Sequence, residues 1–338
     1  MITTLIVDDS ALVRNILRDF LEADGNFKII GEAADGEEGV QKILSLDPDL
    51  VTLDIEMPKK NGLQVIEEVM KKTFVPIVVI TSHDTAKTAY EATLRGATEF
   101  YSKEIFSASL DPKKQQEIYE TLKRISGIKG RKSAAPAEPV VPEPLSKREI
   151  RAVVIASSTG GPKALSRFFS LLPGDFPVPI AIVQHNSSGF DKSFAQWLDT
   201  YTALKVKIAE EDETLKSGTV YVAQTDKHLM LRETGGQDLR FRYNDDEPEN
   251  NQKPAADVLF RTAAESLKQT VISVVLTGMG SDGAAGTRKI REMGGITLAQ
   301  DEESSLIYGM PKAAAETGCV DRVLPLDRIP PELVRLTK

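Results

Sequence analysis

Ser157-Ser158-Thr159-Gly160-Gly161 ends an apolar, β-branched run, Ala152 to Ala156, and Pro162 follows it. A hydroxyl at the end of such a run can act as a nucleophile once a base removes its proton, and an imidazole is a suitable base. Ala156 and Gly160 stand two residues either side of Ser158, which leaves room for a sharp strand-to-helix turn. Spacing alone does not choose between Ser157 and Ser158. The chain has three histidines. His83 lies in the first half. His228 precedes a strand-like run, Leu229 to Leu231, and is therefore expected at the opposite edge of the sheet. His185 alone follows a buried-strand pattern, Ile180 to Gln184, on the side of the serines. A third run, Val271 to Thr277, ends in Gly278-Met279-Gly280-Ser281-Asp282-Gly283. Asp282 supplies the carboxylate that fixes an imidazole tautomer and stabilises its cation. The glycines beside it offer backbone N–H groups for an oxyanion, each donor worth about 3–4 kcal/mol of barrier. Serine, histidine and aspartate at three strand ends predict acyl transfer, with a rate that falls at acid pH because an ordinary imidazole titrates near about 6.5.

A second constellation occupies the first half. Asp8-Asp9 follows the first apolar run, Asp54 the third, Thr81-Ser82 the fourth and Lys103 the fifth. Three carboxylates brought together repel, and their proton affinities rise unless a cation neutralises them. Mg²⁺ suits such a set, being a hard ion that takes oxygen ligands and phosphate. A carboxylate beside Mg²⁺, a hydroxyl and an ammonium group is equipped to accept a phosphoryl group as an acyl phosphate.

The elements that must position these residues follow from the hydrophobic pattern. Thr4 to Val7, Phe27 to Gly31, Leu50 to Leu53, Pro76 to Thr81 and Glu99 to Ser102 read as strands, with helical i, i+3/i+4 spacing between them, as at Leu12, Ile16 and Phe20. Alternation of this kind predicts a doubly wound parallel sheet whose ligands sit at the carboxyl ends of the strands. The second half repeats the pattern, so the fold class is α/β with two such domains. Residues 1–125 form the first, 148–338 the second, and 126–147, carrying Pro136, Pro139, Pro142 and Pro144, read as an extended spacer. The chain has 338 residues, a net charge of −8 and a single cysteine, Cys319. The acidic balance offers no footprint for nucleic acid or for an anionic membrane. No apolar run is long enough to span a bilayer, and one cysteine suits a reducing compartment, so the expected location is the cytoplasm. Gly278-x-Gly280-x-x-Gly283 also fits a dinucleotide fingerprint, with Asp301 beyond the next run, Ile296 to Ala299. Against that reading, Asp282 puts a negative charge inside a turn meant for pyrophosphate.

Val7-Asp8-Asp9-Ser10, Leu53-Asp54-Ile55-Glu56-Met57-Pro58, Gly62-Leu63, Thr81 and Lys103 resemble a two-component receiver domain. The resemblance implies Asp54 as phosphoacceptor, Mg²⁺ held by Asp9, Asp8, Asp54 and the Glu56 carbonyl, and Thr81 and Lys103 as readers of the phosphoryl group. Lys60-Asn61 stands where that family usually has a hydrophobic residue and Asp, and Glu104 where it usually has a proline in a cis peptide. The second half, through Ser157 to Gly161, Gln184-His185, Val220 to Ala223, His228-Leu229, Ala256 to Phe260, Leu276 to Gly283 and Gln300 to Ser304 with Tyr308 to Pro311, resembles the chemotaxis protein-glutamate methylesterase family. That resemblance selects Ser158 over Ser157 as nucleophile. It implies His185 as base, Asp282 as orienting acid and the Met279 N–H at the oxyanion, with no cofactor for the esterase step. It further implies a phosphorylation-activated enzyme that demethylates, and deamidates, the cytoplasmic helices of methyl-accepting chemoreceptors and takes phosphate from a chemotaxis histidine kinase. Neither nucleic acid nor membrane insertion is implied. The regulatory expectation is that the unphosphorylated receiver covers the esterase cleft. Asn186-Ser187-Ser188 after His185, and Gln224, depart from the family's usual Met-Pro-Pro and Pro. A receiver driving a DNA-binding output, and a non-catalytic or nucleotide-binding output domain, are the rival readings.

Overall fold

Short runs of Val, Ile, Leu and Ala, too apolar to be left half in water, form strands buried on both faces. The computed structural model describes residues 1–82, 86–106, 110–128, 148–235 and 238–338. The chain divides into two compact units, Met1–Lys132 and Ser133–Lys338.

The first unit alternates β1 (Ile2–Val7), α1 (Ala11–Ala23), β2 (Phe27–Ala33), α2 (Gly36–Leu46), β3 (Leu50–Leu53), α3 (Gly62–Lys72), β4 (Ile77–Thr81), α4 (Ala86–Arg95), β5 (Glu99–Ser102) and α5 (Pro112–Ser126). The five strands are parallel in the order β2-β1-β3-β4-β5. The strand order reverses between β1 and β3, so a crevice opens above their carboxyl ends. Side-chain caps start the helices where chemistry requires it. Ser10 caps α1 and Asp35 caps α2, while Asn61 and Gln64 form a reciprocal capping box on α3. The departure at Asn61 thus keeps a helix start.

The second unit contains β6 (Ala152–Ser157), α6 (Gly161–Ser170), β7 (Ile180–Gln184), α7 (Asp191–Asp199), β8 (Lys205–Ile208), β9 (Thr219–Val222), β10 (His228–Glu233), β11 (Leu239–Asn244), α8 (Ala256–Leu267), β12 (Val271–Val275), α9 (Ala284–Glu292), β13 (Ile296–Gln300), α10 (Met310–Glu316), β14 (Arg322–Leu324) and α11 (Ile329–Thr337). Seven strands are parallel in the order β14-β13-β12-β6-β7-β9-β8. β6 is central, and the chain leaves it on one side for β7 and returns on the other as β12. The switch point therefore falls between the ends of β6 and β12.

β10 and β11 form a separate antiparallel hairpin. Leu229, Leu231, Leu239 and Phe241 alternate onto its inner face and share a core with Leu259, Phe260 and Ala263 of α8. Burial of each large side chain contributes about 1.5–3 kcal/mol, enough to fix a hairpin that would be marginal alone. The expected place of His228, at the opposite edge of the parallel sheet, is corrected here. It opens β10, outside that sheet, and the period-two pattern that reveals a strand does not say which sheet it joins.

Candidate active site

β6 ends in a corner that two glycines make possible. A Cβ on Gly161 would lie 2.0 Å from Gln184 Oε1, and one on Gly278 would lie 2.8 Å from Ser158 Cβ. Only a residue without a side chain lets the chains approach so closely. Gln184, buried at the end of β7, uses this space to join the strand ends. Its Oε1 accepts from the Ser157 hydroxyl at 2.7 Å, and its Nε2 donates to the carbonyls of Ser158 and His185 at 3.1 and 2.9 Å. The Ser157 hydroxyl is thereby committed inside the fold. Ser158 is the partly exposed one of the pair.

His185 leaves β7 with its amide on the Ser157 carbonyl at 3.0 Å, and its Nε2 meets Asp282 Oδ2 at 2.8 Å. The other ring nitrogen, Nδ1, is buried and has no hydrogen-bond partner among the described residues. Asp282 is 2% exposed and saturated with donors. Its Oδ2 also accepts from the Ala256 amide at 2.6 Å, while Oδ1 accepts from the amides of Asp257 and Gly283 at 2.9 and 3.0 Å and from Asn250 Nδ2 at 3.4 Å. Burial works to raise the proton affinity of Asp282, but the His185 bond and charge and the α8 amides outweigh it and hold the carboxyl below the ordinary range. The carboxylate is fixed in place and charged, as an imidazolium partner must be. The structure thus brings His185 and Asp282 into contact and sets Ser158 on the neighbouring strand end. The Ser158 hydroxyl makes no hydrogen bond to the ring. His83 lies outside the described residues.

Gly278, at the start of the β12 loop, gives its amide to the Ile307 carbonyl, and Gly283 gives its amide to Asp282. The amide of Gly286 goes to Asp257 Oδ1 at 2.6 Å. A dinucleotide turn offers such amides to pyrophosphate, but here two carboxylates hold them. The two flanking glycines, expected from sequence to serve an oxyanion, brace the loop instead.

In the first unit Asp8, Asp9 and Asp54 gather at the ends of β1 and β3 with carboxylate oxygens within 4.8 Å of one another. Lys103 Nζ, at the end of β5, lies 2.8 Å from Asp54 Oδ2 and 2.9 Å from Asp8 Oδ2. Burial, with the Asp8 charge adding to it, raises the proton affinity of Asp54 despite the Lys103 bond. Among the described residues Lys103 is the one cation in salt-bridge contact with these three carboxylates, and an all-oxygen donor set of that kind fits a hard divalent cation. Thr81 is buried at the end of β4, opposite Ser102 in register, and Glu56 is exposed in the loop after β3. The Lys103–Glu104 peptide is trans, and Lys103 still reaches both aspartates.

The CheB methylesterase family matches residues 153–333, and the response regulator receiver domain matches residues 4–113. The chain belongs to the CheB methylesterase family. A protein from Pyrococcus abyssi named protein-glutamate methylesterase/protein-glutamine glutaminase is 38% identical over 349 residues, covering 99% of this chain and 93% of its own. The protein of that name from Thermotoga maritima is 38% identical over 342 residues, covering 99% and 98%. The crystal structure of the Thermotoga maritima CheB methylesterase catalytic domain matches 56% of this chain and 100% of its own, at 43% identity and a TM-score of 0.54. A CheB methylesterase with a receiver is an enzyme of the two-component class, and the two α/β sheets accord with it. Among the described residues no helix is long and apolar enough to cross a membrane.

Sequence reasoning missed the residues that hold the His185–Asp282 pair in place. Asn250 carried no signal, and Asp257 entered only within the run Ala256 to Phe260, with no role assigned, since a buried amide and carboxyl near a helix start look like ordinary solvated residues. The polar loop after His185 is tied down as well. Ser188 Oγ donates to Asp226 Oδ2 at 2.5 Å, the Gly189 amide to Thr225 Oγ1 at 3.3 Å, and the Thr225 amide to Asp191 Oδ2 at 3.3 Å. Side-chain hydrogen bonds thus hold a loop that lacks the family's usual prolines.

Proposed function

We propose that the chain hydrolyses the methyl esters of glutamate side chains on the cytoplasmic helices of chemoreceptors, through a serine acyl-enzyme, under control of phosphorylation at Asp54. The observation that carries this reading is the 2.8 Å contact between His185 Nε2 and the amide-clamped Asp282, one strand from Ser158. Ser158 Oγ attacks the ester carbonyl carbon while its proton passes to His185. With Nε2 engaged by Asp282, Nδ1 is the nitrogen that receives it, and the carboxylate stabilises the imidazolium. The Met279 N–H donates to the oxyanion. Collapse of the tetrahedral intermediate breaks the C–O bond, and the proton on Nδ1 leaves with methanol. Water then adds to the acyl-enzyme with His185 as base, releasing the glutamate and restoring the serine. A glutamine amide takes the same course with ammonia as leaving group.

Asp54 receives the phosphoryl group, with Lys103 and Thr81 disposed to contact it. Mg²⁺ held by Asp8, Asp9, Asp54 and the Glu56 carbonyl would neutralise charge on the transferring oxygens. The phosphodonor is a chemotaxis histidine kinase. Residues 1–125 are the switch, 126–147 the spacer and 148–338 the enzyme.

The test is methanol release from methylated receptor membranes, with and without a small-molecule phosphodonor. The phosphodonor raises the rate, and Ser158→Ala abolishes it. Deletion of residues 1–147 gives a fragment faster than the unphosphorylated full chain. An undiminished rate in Ser158→Ala overturns the nucleophile, and an equal rate in the fragment overturns inhibition by the receiver.

A further inference from the structure

α8 begins without a cap of its own. Its N-cap residue is Ala255, which has no side chain to accept from the first-turn amides. Three consecutive amides are nevertheless taken from outside the helix. The Ala255 amide donates to His228 Nδ1 at 3.1 Å, the Ala256 amide to Asp282 Oδ2 at 2.6 Å and the Asp257 amide to Asp282 Oδ1 at 2.9 Å. His228 is 1% exposed, and its second nitrogen, Nε2, lies 3.1 Å from the Glu247 carbonyl. Since Nδ1 accepts, the ring carries its proton on Nε2 and donates there. Both nitrogens are engaged, so the ring cannot turn or exchange tautomers without losing a bond. The hairpin core fixes the ring's base through Leu229 and Leu231.

We propose that His228 is a positioning residue for the esterase reaction: it sets the first turn of α8, and through two of its amides the Asp282 carboxylate and the His185 ring. The proposal rests on the serine-esterase reading. The Ala256 N–H lies in the same rigid peptide unit as the Ala255 Cα, so a shift of Ala255 on losing its acceptor carries the Ala256 amide with it and disturbs the Asp282 oxygen that accepts from that amide and faces His185. A displacement of about 1 Å at a catalytic group can cost on the order of 100-fold in rate.

Two substitutions separate positioning from mere burial. In His228→Asn the side-chain oxygen stands where Nδ1 stood and still accepts from Ala255, while the donor to Glu247 is lost. In His228→Gln the amide nitrogen reaches the Nε2 position and keeps the Glu247 bond, while the acceptor for Ala255 is lost. The full-length protein is assayed for kcat and KM of methanol release, for the rate at which Ser158 is labelled by a fluorophosphonate, and for its melting temperature. In labelling, the serine oxygen bonds phosphorus, fluoride leaves, and the hydroxyl proton passes to His185, so the rate reports serine activation whatever the natural ester. We expect His228→Gln to lose about 10- to 100-fold in kcat and in labelling rate with KM unchanged. His228→Asn should stay within about threefold of wild type. Equal losses in both variants, or wild-type labelling in His228→Gln, would overturn the proposal. Should His228→Gln fail to fold, a tenfold or larger loss in a folded His228→Asn would do so alone. Wild-type protein that is labelled yet releases no methanol would sink the substrate reading and leave the His228 comparison intact.

Discussion

Asp257 and Asp282, two buried carboxyl groups, are bridged by one side-chain amide: Asn250 Nδ2 stands 2.8 Å from the first and 3.4 Å from the second. The two titrate in opposite directions. Asp282 is held low by His185 and the α8 amides against its burial, whereas burial, with the Asp282 charge adding to it, pushes Asp257 up to about 6. The pair therefore keeps one fixed charge at His185 at neutral pH and places a second, reluctant one behind it.

That second charge predicts a pH dependence of stability. Folding raises the proton affinity of Asp257 from an ordinary 3.8 to about 6, so the native chain holds a proton in that window which the unfolded chain has released. The stability contributed is fully present below 3.8 and is lost as the pH rises through about 6. Asp257→Asn does not titrate. The melting temperature of the esterase unit should exceed that of the variant most at about pH 4.5, with a gap that narrows by about pH 7.5. Calorimetry across that range checks it, and a gap independent of pH would count against the assignment.

Asp282→Asn should be nearly inactive while folded. An amide can present N–H to His185 Nε2, which would move the ring proton to Nδ1, the nitrogen proposed above to accept from serine. The loss expected from such a wrong tautomer is about 10⁴-fold in kcat with KM little changed. Methanol release under saturating and limiting receptor separates the two constants. A loss confined to KM would mean that Asp282 contacts substrate and does not orient the base.

Gly161 and Gln184 should be energetically coupled. Gly161→Ala would thrust a Cβ to 2.0 Å from Gln184 Oε1, and Gln184 then cannot keep its bonds to Ser157, Ser158 and His185. Each buried group left unpaired costs about 1–3 kcal/mol. Gln184→Ala loses the same bonds but vacates the space that the new methyl group needs. The double variant should therefore be less destabilised than the sum of the singles, by about 1–2 kcal/mol. Denaturant unfolding of the four proteins gives the coupling, and strict additivity would show that the two residues do not share the space.

The parallel strands were legible because buried strands of both sheets are written in Val, Ile, Leu and Ala. Their carboxyl ends pointed to Asp8, Asp9, Asp54, the pair Ser157-Ser158, His185 and Asp282, and only the family resemblance chose between the two serines. β8, with exposed Lys205, and the three-residue β14 carry little hydrophobic signal and escaped. The supports of Asp282 were illegible for a different reason. Two of its donors are backbone amides of α8, and an amide has the same chemistry in every residue, so no motif announces which one a carboxylate will find. His228 was misplaced because strand periodicity reports a strand and not its partner. The braced glycines of the β12 loop show the same gap, since glycine spacing reveals a tight turn but not which acceptor its amides meet.

The receiver cluster yields the last prediction. Of the clustered carboxylates of Asp8, Asp9 and Asp54, Lys103 pairs with those of Asp8 and Asp54, and burial opposes ionisation of Asp54. A divalent cation that binds only the folded form stabilises it by mass action, about 1.4 kcal/mol at ten times its dissociation constant. For a domain of this size that is roughly 3–6 °C in the receiver's melting transition. Asp54→Asn removes the carboxylate whose charge burial disfavours, so in EDTA the variant should melt higher than wild type. It also removes a ligand, so the increment from Mg²⁺ should shrink. Scanning calorimetry of the full chain in EDTA and in Mg²⁺ tests both signs together. An Asp54→Asn protein that keeps the whole Mg²⁺ increment would mean that the cation sits elsewhere. One that melts lower in EDTA would mean that the Lys103–Asp54 bond outweighs the cost of burying the charge.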